Sequence, residues 1–216
     1  MITKNKLVHG VGINDADYYV RHEVMDGIKK VIWTCPFYAR WLNMLTRCYY
    51  EDYQKKYPSY KGCFVCEGWL RFSNFRAWMT QQDWEGNELD KDLLTSSNKE
   101  YSPETCIFVP KEVNRFMTEV KSSRGLYPVG VNFHKDSGKF VSSCKDVSTG
   151  KRKHLGLFTT PEEAYKVWLA FKLEQAYTLA ERQTDERISK ALISRYKNDA
   201  ERLFEQAESW NEEFVE

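Results

Sequence analysis

Two carboxylates spaced two residues apart bracket a lysine in the run Leu89-Asp90-Lys91-Asp92. On an extended strand, residues i and i+2 point to the same face, so Asp90 and Asp92 would converge there. Paired carboxylates of this kind hold a hard divalent cation, and a water bound to that cation becomes easier to deprotonate. The alternative, two solvated charges at a polar strand end, stays open. Lys91 is cationic at neutral pH, a poor base but a good point-charge partner for phosphate.

Sulfur supplies a second set. Cys63-x-x-Cys66 is half of a zinc knuckle, and Cys48 and Cys106 lie in flanking segments predicted to pack near it. Four thiolates close a tetrahedral structural Zn2+ site. Equally, buried cysteine serves as a small hydrophobe.

Charge supplies the third. The formal net charge is +1, but Lys121 to Leu157 holds eight Lys/Arg against two Asp, while Phe158 to Glu216 holds eight Lys/Arg against thirteen Asp/Glu. A basic segment beside an acidic one suits a local nucleic-acid contact, or two solvated surfaces of opposite sign.

The elements that must position these groups can be read from periodicity. Pro36 suits the first turn of a helix in which Phe37, Trp41, Met44, Leu45 and Cys48 share a face. Val31 to Trp33 and Phe64 to Cys66 read as short strands, and Trp69 to Met79 as a second aromatic-rich helical segment. Residues 88–120 read as strand (Leu89–Leu94), loop, strand (Cys106–Val109) and a helix opening at Pro110. A basic linker, Lys121 to Pro128, leads into three short strands separated by turns ending at Gly138 and Gly150, a meander. Thr160-Pro161-Glu162-Glu163 opens a helix, with Thr as N-cap, Pro at N1 and Glu at N2 and N3, and Ala164, Val167, Trp168, Ala170 and Phe171 turned inward. A last amphipathic helix runs from about Asp185 to Phe214, with Ile188, Leu192, Tyr196, Leu203 and Phe204 on its apolar stripe.

The bulk numbers fit this reading. A chain of 216 residues that is 42% hydrophobic and 15% aromatic can bury real cores, which argues against disorder. No apolar run is long enough to span a bilayer, and Met1 to Gly10 lacks the pattern of a signal peptide, so a cytoplasmic location without membrane partners is expected. The six cysteines are then expected to be thiols or metal ligands.

The words Trp41-Leu42-Asn43-Met44-Leu45-Thr46-Arg47-Cys48, Val65-Cys66-Glu67-Gly68-Trp69, Phe72-Ser73-Asn74-Phe75, Leu89-Asp90-Lys91-Asp92 and Tyr101-Ser102-Pro103-Glu104-Thr105-Cys106 occur in the order found in phage homing-type endonucleases of the HNH class, and residues 36–118 resemble that family. The words Gly130-Val131, Gly138-Lys139-Phe140, Lys153-His154-Leu155-Gly156-Leu157-Phe158 and Thr160-Pro161-Glu162-Glu163-Ala164-Tyr165 resemble the APETALA-type DNA-binding domain over residues 126–175. Together they imply an α+β chain: an HNH-like ββα-metal module (1–120), a small three-stranded antiparallel sheet packed on a helix (121–182), and a C-terminal amphipathic helix (183–216).

The first resemblance implies a site holding Mg2+ or another divalent metal, with Asp90 and Asn114 at the ligand positions. Lys91 stands where the family has the histidine that deprotonates water, and none of the four histidines falls in residues 88–120. Asp92 or a metal-bound hydroxide would replace that base. The asparagine that steadies the loop before the second strand corresponds to Thr105, unless Asn98 takes its role. The second resemblance implies that the sheet enters the major groove of double-stranded DNA. Its candidate contacts are Arg124 in the linker, Asn132, His134 and Lys135 on the first strand, Lys139 and Lys145 on the second, and Lys151, Arg152 and Lys153 on the third.

Two functions follow. One is a metal-dependent DNA endonuclease whose C-terminal domain supplies affinity. The other is a nuclease-derived binding protein that does not cut, a regulator or counter-defence factor whose acidic C-terminal helix meets a host protein.

Overall fold

The computed structural model of the chain describes residues 7–26, 28–95, 97–118 and 126–212. Arg124 and most of the basic linker lie outside them. The architecture is mixed α+β, with six helices and small sheets among the described residues. The chain divides into two compact units, Met1–Asn114 and Arg115–Glu216. No helix among the described residues is long and apolar enough to cross a membrane.

The first unit opens with an antiparallel hairpin, β1 (Arg21–Asp26) and β2 (Ile28–Thr34), of which only part of β2 was expected. Pro36 occupies the first turn of α1 (Pro36–Tyr49). Its buried stripe is Tyr38, Trp41, Met44, Leu45 and Cys48. Phe37, expected inward, is half-buried against the Trp84 ring (centroids 4.8 Å apart). A short helix α2 (Glu51–Lys56), the two-residue strand β3 (Phe64–Val65) and α3 (Phe72–Met79) follow. Trp41, Leu45, Phe72, Phe75 and Met79 are sealed from solvent. The indole of Trp41 donates to the carbonyl of Trp69 (2.7 Å), so a large ring is buried with its one polar atom satisfied.

Next come β4 (Glu88–Asp90), β5 (Glu100–Tyr101), β6 (Ile107–Val109) and α4 (Lys111–Met117), which crosses the boundary between the units. β4 pairs antiparallel with β6 (Glu88 opposite Val109, Asp90 opposite Ile107). The expected order of strand, loop, strand and helix is present, with a shorter first strand. β5 interrupts the loop and pairs in parallel with β3.

The second unit holds the antiparallel sheet β7 (Val131–His134), β8 (Lys139–Lys145) and β9 (Arg152–Phe158), in that spatial order. Helix α5 (Pro161–Ala180) packs on it, and α6 (Glu186–Glu212) packs along α5. The start of α5 is the expected one: the Thr160 hydroxyl accepts the Glu163 N–H, and the Glu163 side chain returns to the Thr160 N–H. Ala164, Trp168 and Phe171 are buried as expected, whereas Ala170 is exposed and Leu169 is buried. A helix with partners on two sides does not carry a single apolar stripe. On α6, Ile188, Leu192 and Tyr196 are buried, and Leu203 is half-buried. The side chain of Phe204 lies outside the described residues.

Candidate functional site

In the first unit the functional words gather at the end of β4. Leu89 turns into the core, which by the pleat leaves Glu88 and Asp90 on the opposite face. The strand stops at Asp90, so the alternation that would align Asp92 with it stops there too. The Asp90 carboxylate accepts the N–H groups of Asp92 (2.8 Å) and Leu93 (2.7 Å) and so forms the turn that ends the strand. Asp92 is exposed and ion-paired with Lys91. On α4 the Asn114 amide donates to the Glu88 carboxylate. The partner shown for Asn114 is therefore Glu88, a residue outside the expected ligand set. The i, i+2 spacing from Asp90 was the available signal.

Lys91 is a buried residue, only 5% exposed. Its ammonium donates to Asp92 (2.6 Å) and to the carbonyl of Asn98 (2.5 Å), and it lies 5.8 Å from the centre of the Tyr101 ring. Asn98 completes the brace. Its amide donates to the carbonyls of Lys91 (3.0 Å) and Glu100 (2.6 Å) and its oxygen accepts the Glu100 N–H (3.0 Å). Thr105 closes the far end, accepting the Ser102 N–H (3.1 Å) and donating to the Glu100 carbonyl (2.9 Å). Asn98 and Thr105 thus share the loop-steadying work. Lys91 holds the loop by its ammonium where a catalytic base would need an available lone pair.

Burial pushes the Asp90 carboxyl above its ordinary value, against the opposing pull of the two N–H groups it accepts. A folded-state value raised above the unfolded one means that the group's stability contribution is full below the ordinary carboxylate range. It is lost as pH rises through the folded value. An amide keeps the oxygen that both N–H groups need and carries no charge. Asp90→Asn is therefore expected to melt at a higher temperature than the wild type at pH 7, with the gap closing as the buffer is taken down to about pH 4, near the ordinary carboxylate value. Thermal melts at the two pH values check this. A variant less stable than the wild type at pH 7 would show that the carboxylate is favourably placed.

The cysteines are not gathered into a metal site. Among the described residues, no group of three or more His, Cys, Asp or Glu side chains is placed to hold a metal ion. Burial pushes the thiols of Cys48 and Cys106 up to about 12 and raises that of Cys66, which keeps all three protonated at neutral pH. Cys63 is buried in the same core. Cys48, Cys63 and Cys106 pack as small apolar side chains, and Cys63 and Cys66 flank the two-residue strand β3.

The second unit presents its candidate groups on a sheet with two unlike faces. Gly130 sits against the Trp168 indole of α5, and the Lys153 ammonium lies 4.6 Å from the centre of the Phe171 ring, so Lys153 points to the helix side. β8 opposes Gly156 at Ser142 but His154 at Ser143, which leaves Leu155 as the extra residue of a bulge. The pairing then puts Asn132, His134, Lys139, Val141, Ser143, Lys145, Arg152, His154 and Leu157 on the side away from α5. Arg152 donates through Nε to the Ser143 hydroxyl (3.0 Å), as residues on one face must. Lys135 and Lys151 are exposed in the turns beside the strands. His154 and Leu157 were not anticipated, because the bulge shifts the alternation of β9.

No protein-family model matches the chain, and neither a curated protein nor a solved structure matches it.

The chemistry therefore rests on the geometry. The open face combines exposed cations with hydrogen-bonding side chains, an arrangement suited to a polyanion. At the end of β4, the oxygen donors Glu88, Asp90 and Asn114 are of the kind that suits a hard divalent ion.

Proposed function

We propose that the chain is a DNA-binding protein whose three-stranded sheet lies in the major groove, attached to an HNH-like ββα module that cleaves the phosphodiester backbone with a divalent metal. The observation that supports it most is the two-faced sheet. One side is closed by α5, while the other carries Lys139, Lys145, Arg152, Asn132, His134 and His154. Such a face gains affinity by displacing counterions from phosphates.

In this reading Asp90, with Glu88 and Asn114, holds Mg2+ or a related ion. When bound, that ion lowers the pKa of a water and offsets charge on the phosphate. The rest falls to the chain. Asp90 keeps its carboxylate fixed through the N–H groups of Asp92 and Leu93, and Asn114 orients Glu88. Lys91 braces the loop through the Asn98 carbonyl and its ion pair with Asp92.

The test is incubation of the protein with supercoiled DNA in Mg2+, in Mn2+ and in EDTA. Nicking or linearisation is expected with metal only. Asp90→Ala is expected to reduce it by more than about a hundredfold, since even outer-shell partners of a metal cost 10–100-fold, while DNA binding persists. Equal cutting by the variant would place the chemistry elsewhere.

The brace formed by Lys91 favours a second reading, a nuclease-derived factor that holds DNA without cutting it, or that meets a host protein through α6. Retained DNA binding with no cleavage in any metal would decide for it.

A further inference from the structure

Four rows of side chains cross the open face of the sheet, and one of them carries aliphatic side chains. His134 pairs with Lys139, Ser143 with His154, and Lys145 with Arg152. The remaining row is Asn132–Val141–Leu157, an amide at one edge, a half-buried valine in the middle and a leucine 47% exposed at the other edge. It carries no charge, so counterion release gives it no role. We propose that this row reads A·T base pairs, with Asn132 on adenine and Val141 and Leu157 against the thymine methyl. The proposal rests on the DNA-binding reading above and adds a base preference to it.

The dimensions are compatible. Neighbouring strands are about 4.8 Å apart, so a row across three strands is about 10 Å long, while Lys139 to Lys145 extends about 20 Å along β8. The major groove is about 12 Å wide. The long direction must run along the groove, which lays the row across a single base-pair edge. On an A·T edge the adenine N6 and N7 lie at one end and the thymine methyl at the other. An asparagine offers a donor and an acceptor that match N6 and N7, and an aliphatic side chain gains by covering the methyl. Guanine would need a bidentate cation in the row, and the row has none. The arginine nearest by strand order, Arg152, has its Nε committed to Ser143.

The experiment is competition binding between two mixed-sequence duplexes of equal length, one with A·T pairs and one with G·C pairs through its centre, followed by the A·T duplex with deoxyuridine in place of thymidine. The wild type is expected to prefer the A·T duplex by about tenfold, within the range for one well-made base contact. It is expected to lose about fourfold on the deoxyuridine duplex, the worth of one buried methyl. Leu157→Ala should narrow the difference between the thymidine and deoxyuridine duplexes, with Val141 keeping part of the methyl contact, and Asn132→Ala should keep only the share of the A·T preference that the methyl supplies. Salt-dependent binding with equal affinity for all three duplexes overturns the base-reading proposal and leaves the DNA-binding reading standing. No binding to any duplex overturns both.

Discussion

Gly130→Ala is expected to lower the stability of the second unit by roughly 3 kcal/mol, the sum of a left-handed backbone cost and an overpacking cost. Gly130 has φ +81°, and a Cβ built on it would stand 1.9 Å from Cδ1 and 2.2 Å from Nε1 of Trp168. The indole cannot retreat easily, because Trp168 is buried beneath the sheet. Moving it would disturb the seating of β7 on α5, and with it the face proposed to meet DNA. Gly138→Ala is the control. Its φ is +65° but nothing lies within 4 Å of the added atom, so only the left-handed backbone cost of about 1 kcal/mol is expected. Urea titration of the whole chain, followed by a probe in the second unit, compares the two. Equal losses would show that the close approach to Trp168 is not maintained in solution.

The joint replacement of Lys151, Arg152 and Lys153 by alanine is expected to reduce the dependence of log K on log salt by about two units. At physiological salt that corresponds to about thirtyfold weaker binding. Two contacts are expected from three cations because Arg152 is on the open face, Lys151 is exposed in the adjoining turn, and Lys153 reaches back over the Phe171 ring. Lys153→Ala alone should therefore leave the salt slope as it is, while losing a cation–π contact worth about 0.5–1 kcal/mol. Titrations of a mixed-sequence duplex at several salt concentrations give both slopes. If the triple variant keeps the wild-type slope, the basic cluster is a solvated edge and the sheet does not hold phosphates.

These outcomes separate what local chemistry specifies from what needs the whole fold. The start of α5 was legible because Thr160, Pro161 and Glu163 satisfy N–H groups within one turn of themselves. The three strands of the second unit were legible for a similar reason: their turns end in glycines that take positive φ at Gly138 and Gly150, and their alternation is set by the pleat. The succession of β4, β6 and α4 could also be read, as could the opening of the sheet on one side only, since a single helix cannot cover both faces.

The site was less legible. That Asn114 meets Glu88, that Lys91 is buried over Tyr101, and that β5 pairs with β3 all depend on residues ten to thirty-six positions apart being brought together. The four cysteines had a spacing that resembled a metal knuckle, but spacing does not specify how side chains converge, and burial made three of them packing groups of the core. The bulge at Leu155 reverses the phase of β9, so the strand ends assign Lys153 to the helix and Arg152 to the open face only once β8 is paired beside it. The cap of α5, the turns at Gly138 and Gly150 and the alternation of β7 and β8 follow from the chain read locally, because each is settled by near neighbours. Which polar side chains meet was decided by the tertiary structure alone, because that depends on register and burial, which distant segments impose on one another.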